Sequence, residues 1–243
     1  MMRAINTSVR LFGEVFDPPG PVVELGSYYP PGYDWLSDLR PYFPGREYVG
    51  CDLRAGNGVD RIEDVQELSF DDSSVGTMLE FEILEHVPDP DRAISEANRV
   101  LREDGLFALS TPFNHGLHAF PDDYWRFTAS GMDRLLAPFP DKVIFALGPR
   151  RRPAFVFAVA AKTASAEFEA RKRLFQERVE DTFRRTRLRG YSSVLRRTGR
   201  DWLVSALGRG ELGAAFFDAA AGGGYFPRSA EGESGTNRSF TTS

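Results

Sequence analysis

The sequence predicts an α/β fold built around a mostly parallel sheet with one antiparallel strand. Short apolar runs alternate with helical patterns between residues 22 and 136, which is typical of successive β-α-β units. Two more apolar runs follow at 143–147 and 155–161, and the segment between them is short enough for a hairpin. Because a hairpin reverses the chain, one of these two strands is expected to run against the others.

The parallel part of the sheet is predicted from short runs of apolar or alternating side chains. The first run, Val22–Leu25, ends at Gly26, and the third alternates apolar with polar residues. Pro112 follows the fifth run, 106–110, and is expected to end that strand. The predicted strands are 22–25, 48–52, 59–64, 75–81 and 106–110.

Helices are predicted between these strands from apolar spacing and from capping residues. Glycine and proline mark where each helix is expected to end. The predicted helical segments are a lead-in within 1–20, a face formed by Trp35, Leu36 and Leu39 before Pro41, a helix from Asp89 or Asp91 to Asp104-Gly105, and a helix capped by Thr128.

The composition changes towards the end of the chain, where arginine becomes frequent within a helical pattern. Phe168, Phe175 and Val179 fall on one stripe of this pattern, and we predict that the stripe packs on the sheet or on a second copy of the chain. The last residues are rich in Gly, Ser, Thr and charge, which predicts disorder. The predicted units are a domain over 1–162, an Arg-rich helical extension over 163–221 and a disordered tail over 222–243.

The composition also bears on partners and compartment. The net charge of −5 argues against nucleic acid as the main partner. Cys51 is the single cysteine, so the chain cannot form an internal disulfide, and a reducing compartment fits. The sequence has no apolar run of the roughly 18–20 residues that a membrane span needs, and no secretory signal pattern. We therefore expect a cytoplasmic protein without a transmembrane segment.

Polar residues cluster at the predicted ends of the parallel strands, where open α/β sheets bind ligands. Glu24 and Gly26 end the first strand, Asp52 ends the second and Asp64 ends the third. A carboxylate such as Asp52 can accept hydrogen bonds from both hydroxyls of a ribose. Each acidic residue alone is also typical of a helix cap or a solvated turn, so the prediction depends on their shared edge.

The segment after the first strand does not have the three spaced glycines that admit a pyrophosphate. Glu24 would also repel a phosphate, whereas it suits a cationic amine. The pattern therefore favours a ribose-bearing ligand without phosphates, and it disfavours a dinucleotide-dependent oxidoreductase.

These residues also carry a family resemblance. Val22-Val23-Glu24-Leu25-Gly26-Ser27 resembles the first motif of class I S-adenosylmethionine-dependent methyltransferases, and Leu84-Glu85-His86-Val87-Pro88-Asp89-Pro90 resembles their segment after the fourth strand. Further similar stretches are 48–52, 58–64 and 121–128, so the resemblance covers about 22–162. This region resembles the bacterial methyltransferase domains of type 11. The resemblance implies a Rossmann-like seven-stranded sheet with helices on both faces.

The resemblance implies S-adenosyl-L-methionine as the cofactor and assigns residues to its parts. The methionine part is expected near Glu24, Gly26 and Ser27, the ribose at Asp52 and the adenine near Asp64. Glu80 and Phe81, at the end of the fourth strand, complete the expected cofactor site. The chain departs from the family's Gly-x-Gly-x-Gly loop at Tyr28 and Pro30, two bulky residues that narrow or shift the methionine pocket.

The chain's histidines all follow the fourth or fifth strand, on the expected ligand edge. Histidine titrates near neutral pH, so His115 or His118 is the predicted catalytic base for an acceptor hydroxyl or amine. The predicted substrate contacts are His86, Asp122, Tyr124 and Trp125. No metal site is predicted, because the His115-x-x-His118 spacing suits no single helical face and no carboxylate completes a recognised pattern.

Two functions remain open at this point. The first is methyl transfer from S-adenosyl-L-methionine to a small-molecule or glycan acceptor. The second is a non-catalytic methyltransferase-like binding module, which Tyr28 and Pro30 favour. The Arg-rich extension is expected to pack on the sheet domain or to support a homodimer, and alternatively to contact an acidic partner, a membrane surface or RNA.

Overall fold

A single sheet with helices on both faces forms the framework of the described chain. The structure is a computed structural model, and it describes residues 3–119, 121–148, 152–186, 213–218 and 224–226. Its helices are α1 (Arg3–Phe16), α2 (Asp34–Ser37), α3 (Pro90–Val100), α4 (Ala129–Leu135) and α5 (Ala166–Thr186). Its strands are β1 (Val22–Leu25), β2 (Tyr48–Asp52), β3 (Arg61–Ile62), β4 (Val75–Phe81), β5 (Leu101–Pro112), β6 (Asp141–Gly148), β7 (Phe155–Ala161), β8 (Gly213–Asp218) and β9 (Gly224–Phe226).

The sheet has the order β3-β2-β1-β4-β5-β7-β6-β8-β9 among the described residues. Strands β1 to β5 pair in parallel, and β7 lies antiparallel between β5 and β6. The predicted seven-stranded, mostly parallel sheet with one antiparallel strand is therefore confirmed for β1 to β7. The boundaries predicted for β1, β2, β4 and β7 are also confirmed.

Each face of the sheet is covered by its own pair of helices. Buried residues of α3 and α4 pack with one face, and buried residues of α1 and α5 pack with the other. The predicted stripe of α5 lies in the second group, where the ring of Phe175 is 5.5 Å from that of Phe16 in α1. The stripe therefore packs on the sheet domain of its own chain, one of the two alternatives that the sequence left open.

Several predicted element ends are wrong. The fifth strand runs over Leu101–Pro112 instead of 106–110, so Pro112 lies within it and does not stop it. The helix α3 ends at Val100 and not at Asp104-Gly105, because Leu101 already pairs with Val75 of β4 and the residues before Leu106 form an irregularity in β5. The third strand keeps only Arg61–Ile62 of the predicted 59–64. The helix α2 is a single turn, and its Trp35 is 66% exposed, so this segment has little buried surface to hold a longer helix.

The end of the chain also differs from the prediction at two points. Strand β8 lies within the predicted helical extension over 163–221, and β9 lies within the predicted disordered tail over 222–243. The reason is the open edge of β6, whose backbone groups pair with β8, which in turn pairs with β9. Residues 187–212 of the predicted Arg-rich extension lie outside the described residues.

No helix among the described residues has the character of a membrane span. Within the described residues, none combines the length and the apolar character that a membrane crossing requires. The longest of them, α5, carries many charged side chains.

Candidate functional site

The carboxyl ends of β1, β2 and β4 meet at one edge of the sheet. Leu25 is in register with Cys51 of β2 on one side and with Glu80 of β4 on the other. Two cavities open at this edge. Larger hollows of about 470 and 570 Å³ lie at the opposite edge, beside Asp17, where parallel sheets do not usually bind ligands.

The two cavities at the carboxyl edge share Gly26. The first, called the Glu24 cavity here, has a volume of about 370 Å³ and is lined by Glu24, Gly26, Ser27, Tyr28, Glu82 and His115 among others. The second, the Asp52 cavity, has a volume of about 160 Å³ and is lined by Gly26, Asp52, Asp64, Ile83 and His86 among others. Most residues predicted to bind the cofactor therefore line one of two adjoining cavities.

Two features of the structure require glycine at position 26: its backbone conformation and the close approach of Ile83. The φ angle of Gly26 is +78°, a conformation that side chains disfavour, and a Cβ atom there would lie 2.1 Å from Cδ1 of Ile83. The Ile83 side chain thus packs directly on the glycine backbone where the two cavities meet. Any side chain at Gly26 would displace Ile83 and change the junction.

Glu24 is buried but has a hydrogen-bond donor. Its side chain is 3% exposed overall and accepts a 2.7 Å hydrogen bond from the Tyr48 hydroxyl. Burial raises the pKa of Glu24 to about 7, and the bond from Tyr48 and the charge of Arg40 oppose this rise. Glu24 can therefore change its protonation state near neutral pH when a cationic ligand group approaches.

Asp52 is held in place by backbone amides. One oxygen accepts from the Tyr28 N–H at 3.4 Å and the other from the Arg54 N–H at 3.2 Å. The Ser27 hydroxyl donates to the carbonyl of Cys51 at 3.2 Å. The loop after β1 is thus attached to the end of β2.

The remaining predicted cofactor residues are placed differently from one another. Asp64 is exposed and accepts from the Gln66 N–H at 2.8 Å, whereas Phe81 is buried and lines the Glu24 cavity. Glu80 lines neither cavity. Its side chain is 1% exposed, neither of its oxygens has a hydrogen-bond partner among the described residues, and burial raises its pKa to about 8.

The bulky residues of the loop after β1 also have defined positions. The Tyr28 ring lies against Gly56, where a Cβ atom would be 2.4 Å from the ring, and the Arg54 guanidinium lies 4.1 Å from the ring centroid. Pro30 is exposed. Tyr28 lines the Glu24 cavity, so it limits the room in that cavity.

Two loops on the other side of the edge are attached to each other. The backbone N–H groups of Tyr124 and Trp125 both donate to the carbonyl of Glu85, at 2.8 and 3.2 Å. The Trp125 indole N–H also donates to the carbonyl of Val87 at 2.9 Å. The loop after β5 is therefore held on the short 3₁₀ turn Leu84–His86 that follows β4.

All the histidines of the chain lie together between these loops. The ring of His118 is 4.7 Å from that of His86 and 4.8 Å from that of His115, centroid to centroid. His115 also lines the Glu24 cavity. The structure thus brings together three residues that the sequence placed only on the same edge.

The acidic groups around the histidines include residues to which sequence reasoning assigned no role. The Glu85 side chain is 0% exposed and lies with one oxygen 3.6 Å from Nε2 of His86 and 3.9 Å from Nε2 of His118. Glu82 lines the Glu24 cavity, and burial raises its pKa. The sequence signal for Glu85 is its place beside His86 in the motif at 84–90. Its proximity to His118 arises only from tertiary packing.

The other predicted substrate residues lie on the same loop. Asp123, beside the predicted Asp122, is held by the Arg126 guanidinium, which keeps the pKa of this carboxyl well below its usual range. Asp122 accepts from the Tyr124 hydroxyl at 2.7 Å. Tyr124 and Trp125 are 47% and 41% exposed, so both present aromatic surface to solvent.

Comparisons with known proteins show which family and fold this chain resembles. Residues 43–109 match the family model described as a methyltransferase domain. A "probable S-adenosylmethionine-dependent methyltransferase" of Mycolicibacterium smegmatis is 38% identical over 65 residues, which span 27% of this chain and 23% of that protein. The match therefore concerns less than a quarter of that relative's own length.

Solved structures provide a comparison of the fold. Burkholderia thailandensis 1,6-didemethyltoxoflavin-N1-methyltransferase, solved with S-adenosylhomocysteine, aligns with a TM-score of 0.51 at 23% identity, over 66% of this chain and 79% of that one. A Thermotoga maritima SAM-dependent methyltransferase aligns with a TM-score of 0.49 at 17% identity, over 65% and 89%. The predicted resemblance is confirmed: residues 43–109 match the methyltransferase-domain model, and the chain shares the fold of a class I S-adenosylmethionine-dependent methyltransferase.

Proposed function

We propose that this protein transfers a methyl group from S-adenosyl-L-methionine to a small-molecule or glycan acceptor. The observation that carries the proposal is the pair of adjoining cavities at the carboxyl edge of the sheet, which meet at Gly26 and present acidic groups on both sides. The methyltransferase-domain match over 43–109 supports the same activity.

The cofactor is proposed to lie across both cavities. Asp52 would accept from the ribose hydroxyls and Asp64 from the adenine amine in the smaller cavity, while Glu24 would face the methionine amine in the larger one. The pKa of Glu24, raised by burial to about 7, supports this role, because a cationic amine would favour its ionised form. Ser27 would contribute through its backbone, and Phe81 as a wall. Glu80 is left out, since it lies in the core.

The reaction needs an aligned nucleophile and a place for its proton. In an in-line displacement, the acceptor atom forms a bond to the methyl carbon as the carbon–sulfur bond breaks, and S-adenosylhomocysteine leaves. We propose His115 as the base that takes the acceptor's proton, because it lines the same cavity as Glu24. His118 is directed towards Glu85 instead.

The acceptor is proposed to contact the loop that carries His115. Tyr124 and Trp125 are both more than two-fifths exposed on this loop, and aromatic rings of this kind bind the apolar faces of small molecules and sugars. A lone cysteine supports a reducing compartment such as the cytoplasm. Since the α5 stripe is covered by its own chain, an acidic partner of the Arg-rich segment is a better-supported proposal than a homodimer formed through that stripe.

A second candidate function is a binding module without turnover. The observation that favours it is Tyr28, a bulky residue that lines the cavity proposed for the methionine part. In that case the protein would bind a smaller ribose-containing ligand through Asp52 and would not transfer a methyl group.

Calorimetric titration with S-adenosylmethionine and S-adenosylhomocysteine tests the proposal. We expect micromolar binding of either ligand, lost at least tenfold in Asp52→Ala and retained in Asp104→Ala, which removes an exposed carboxylate at the opposite edge. If the folded protein binds neither ligand, the methyltransferase proposal is wrong. Unchanged affinity in Asp52→Ala would contradict the ribose assignment alone. Binding without methyl transfer to any acceptor tested, including sugars and small aromatic amines, would favour the second candidate.

A further inference from the structure

We propose that Glu85, His86 and His118 form a binding site for one divalent transition-metal ion of the zinc type. One ligand atom from each residue lies within 4.8 Å of the other two. Two imidazoles and one carboxylate are the protein ligands of many catalytic zinc sites, with the fourth position left to water or a substrate. This site does not depend on binding of S-adenosylmethionine.

The distances fit an ion between the three side chains. One Glu85 oxygen lies 3.6 Å from Nε2 of His86 and 3.9 Å from Nε2 of His118. Ligands of a tetrahedral zinc ion, with bonds of about 2.0–2.1 Å, lie roughly 3.3 Å apart. Small side-chain movements on binding would therefore bring these atoms into coordination.

The second nitrogen of each ring determines where the protons lie. Nδ1 of His86 is 2.5 Å from the carbonyl oxygen of Asp122, and Nδ1 of His118 is 3.2 Å from that of Gly116. A carbonyl can only accept, so these contacts are hydrogen bonds when both Nδ1 atoms carry the hydrogen. In the neutral rings, both Nε2 lone pairs then face the Glu85 carboxylate.

A cation would satisfy this arrangement. Three acceptor atoms converge, and neither Glu85 oxygen has a hydrogen-bond partner in the part of the chain that the structure describes. A buried carboxylate without a donor is unfavourable. A metal ion would pair with the carboxylate and with both lone pairs at once. Metal-bound histidines commonly donate their other N–H to a carbonyl, as both rings do here.

The site is both held in place and open to solvent. The Glu85 carbonyl accepts from the backbone of Tyr124 and Trp125, so the two loops that supply the ligands are already joined. The side chains of His86 and His118 are 27% and 34% exposed, which leaves a route for the ion. Two nitrogen ligands favour Zn²⁺ or Co²⁺ over Mg²⁺ and Ca²⁺, which prefer oxygen.

Metal titration of untagged, full-length protein tests the site. After treatment with a chelator, the protein is titrated with Co²⁺, followed by its visible absorption, and with Zn²⁺ against a chromogenic chelator. We expect one equivalent to bind at micromolar concentration or tighter, with no competition from millimolar Mg²⁺ or Ca²⁺.

Matched variants separate this site from adventitious binding. Glu85→Gln and His118→Ala are each expected to lower the Zn²⁺ affinity at least tenfold, whereas Glu103→Gln, which changes an exposed glutamate, should not. Thermal unfolding shows whether each variant folds. Glu85→Gln removes no packing volume, so it still tests the site if His118→Ala does not fold. No stoichiometric binding, or wild-type affinity in both variants, would overturn the proposal. Loss of S-adenosylmethionine binding in Asp52→Ala would leave it unaffected.

Discussion

The two halves of the carboxyl edge differ in whether their carboxylates accept hydrogen bonds. On the side of β1 and β2, Glu24 accepts from the Tyr48 hydroxyl and Asp52 from two backbone amides. On the side of β4, the side chains of Glu80 and Glu85 are equally buried, but none of their oxygens is hydrogen-bonded within the described ranges. The first half is therefore organised before any ligand binds, whereas the second keeps acidic groups unsatisfied.

The difference appears in the protonation of these groups. Burial raises the pKa of Glu80 and of Glu85 to about 8, whereas the bond from Tyr48 helps to limit the pKa of Glu24 to about 7. Buried polar groups without partners are rare in proteins and often mark functional positions. The comparison thus directs attention to the β4 side, and variants at each side can test it.

The largest effect is expected for Glu80→Gln, as a dependence of stability on pH. The pKa of Glu80 in the folded protein, about 8, lies above its ordinary value of 4.5, so the unfolded chain loses this proton first as the pH rises. The wild type should therefore lose about 3–4 kcal/mol of stability through this group between pH 5 and pH 8, and the variant should not. Urea unfolding at pH 5 and pH 8 measures the difference.

Glu103→Gln is the matched control for this prediction, because Glu103 is exposed. Its unfolding free energy should follow that of the wild type at both pH values. The outcome that contradicts the prediction is a difference in unfolding free energy between wild type and Glu80→Gln that is the same at pH 5 and pH 8. Glu80 would then have a hydrogen-bond partner or contact with solvent, and the contrast between the two halves would not hold at that residue.

A smaller effect, on the organised half, is expected for Gly26→Ala. The new Cβ atom would meet Ile83 at 2.1 Å in a backbone conformation with φ of +78°. Backbone strain and overpacking together should lower the unfolding free energy by about 2–4 kcal/mol. Denaturant unfolding of the variant checks this value.

Gly32→Ala separates the two causes. Gly32 has a φ angle of +84°, but a Cβ atom there has no neighbour within 4 Å among the described residues. Strain alone should cost about 1 kcal/mol at this position. Equal losses in the two variants would show that Ile83 moves freely, and the junction between the cavities would then not be rigid.

The framework was predictable because strand signals are local. Val22–Leu25 and Val75–Phe81 were bounded correctly from short apolar runs, since burial on both faces leaves few other choices. The end of α3 was not predictable, because Asp104-Gly105 is a typical stop signal and only pairing of Leu101 with Val75 ends the helix earlier. Likewise, β8 depends on the open edge of β6, which no local pattern reveals.

The candidate site was predictable only to the level of its edge. The strand ends correctly indicated that Asp52 and Asp64 lie near Gly26, and all three line one cavity. Glu80, at the end of the fourth strand, is buried and lines neither cavity, which its position in the sequence does not indicate. Glu85 meets His118 across two loops, so its environment depends on tertiary packing that spacing in the sequence does not encode.

The smallest effect is expected for Trp125→Phe, at the contact that joins the two loops of the β4 side. This change removes the 2.9 Å hydrogen bond from the indole to the Val87 carbonyl, which should cost about 1 kcal/mol. Tyr124→Phe, which removes a bond only to the exposed Asp122, should cost less than about 0.5 kcal/mol. Hydrogen exchange of the Tyr124 and Trp125 amides, which donate to the Glu85 carbonyl, measures the attachment directly. If both variants leave this exchange unchanged, the backbone bonds alone hold the loop, and the position of the Glu85 and histidine side chains depends on the backbone rather than on the indole.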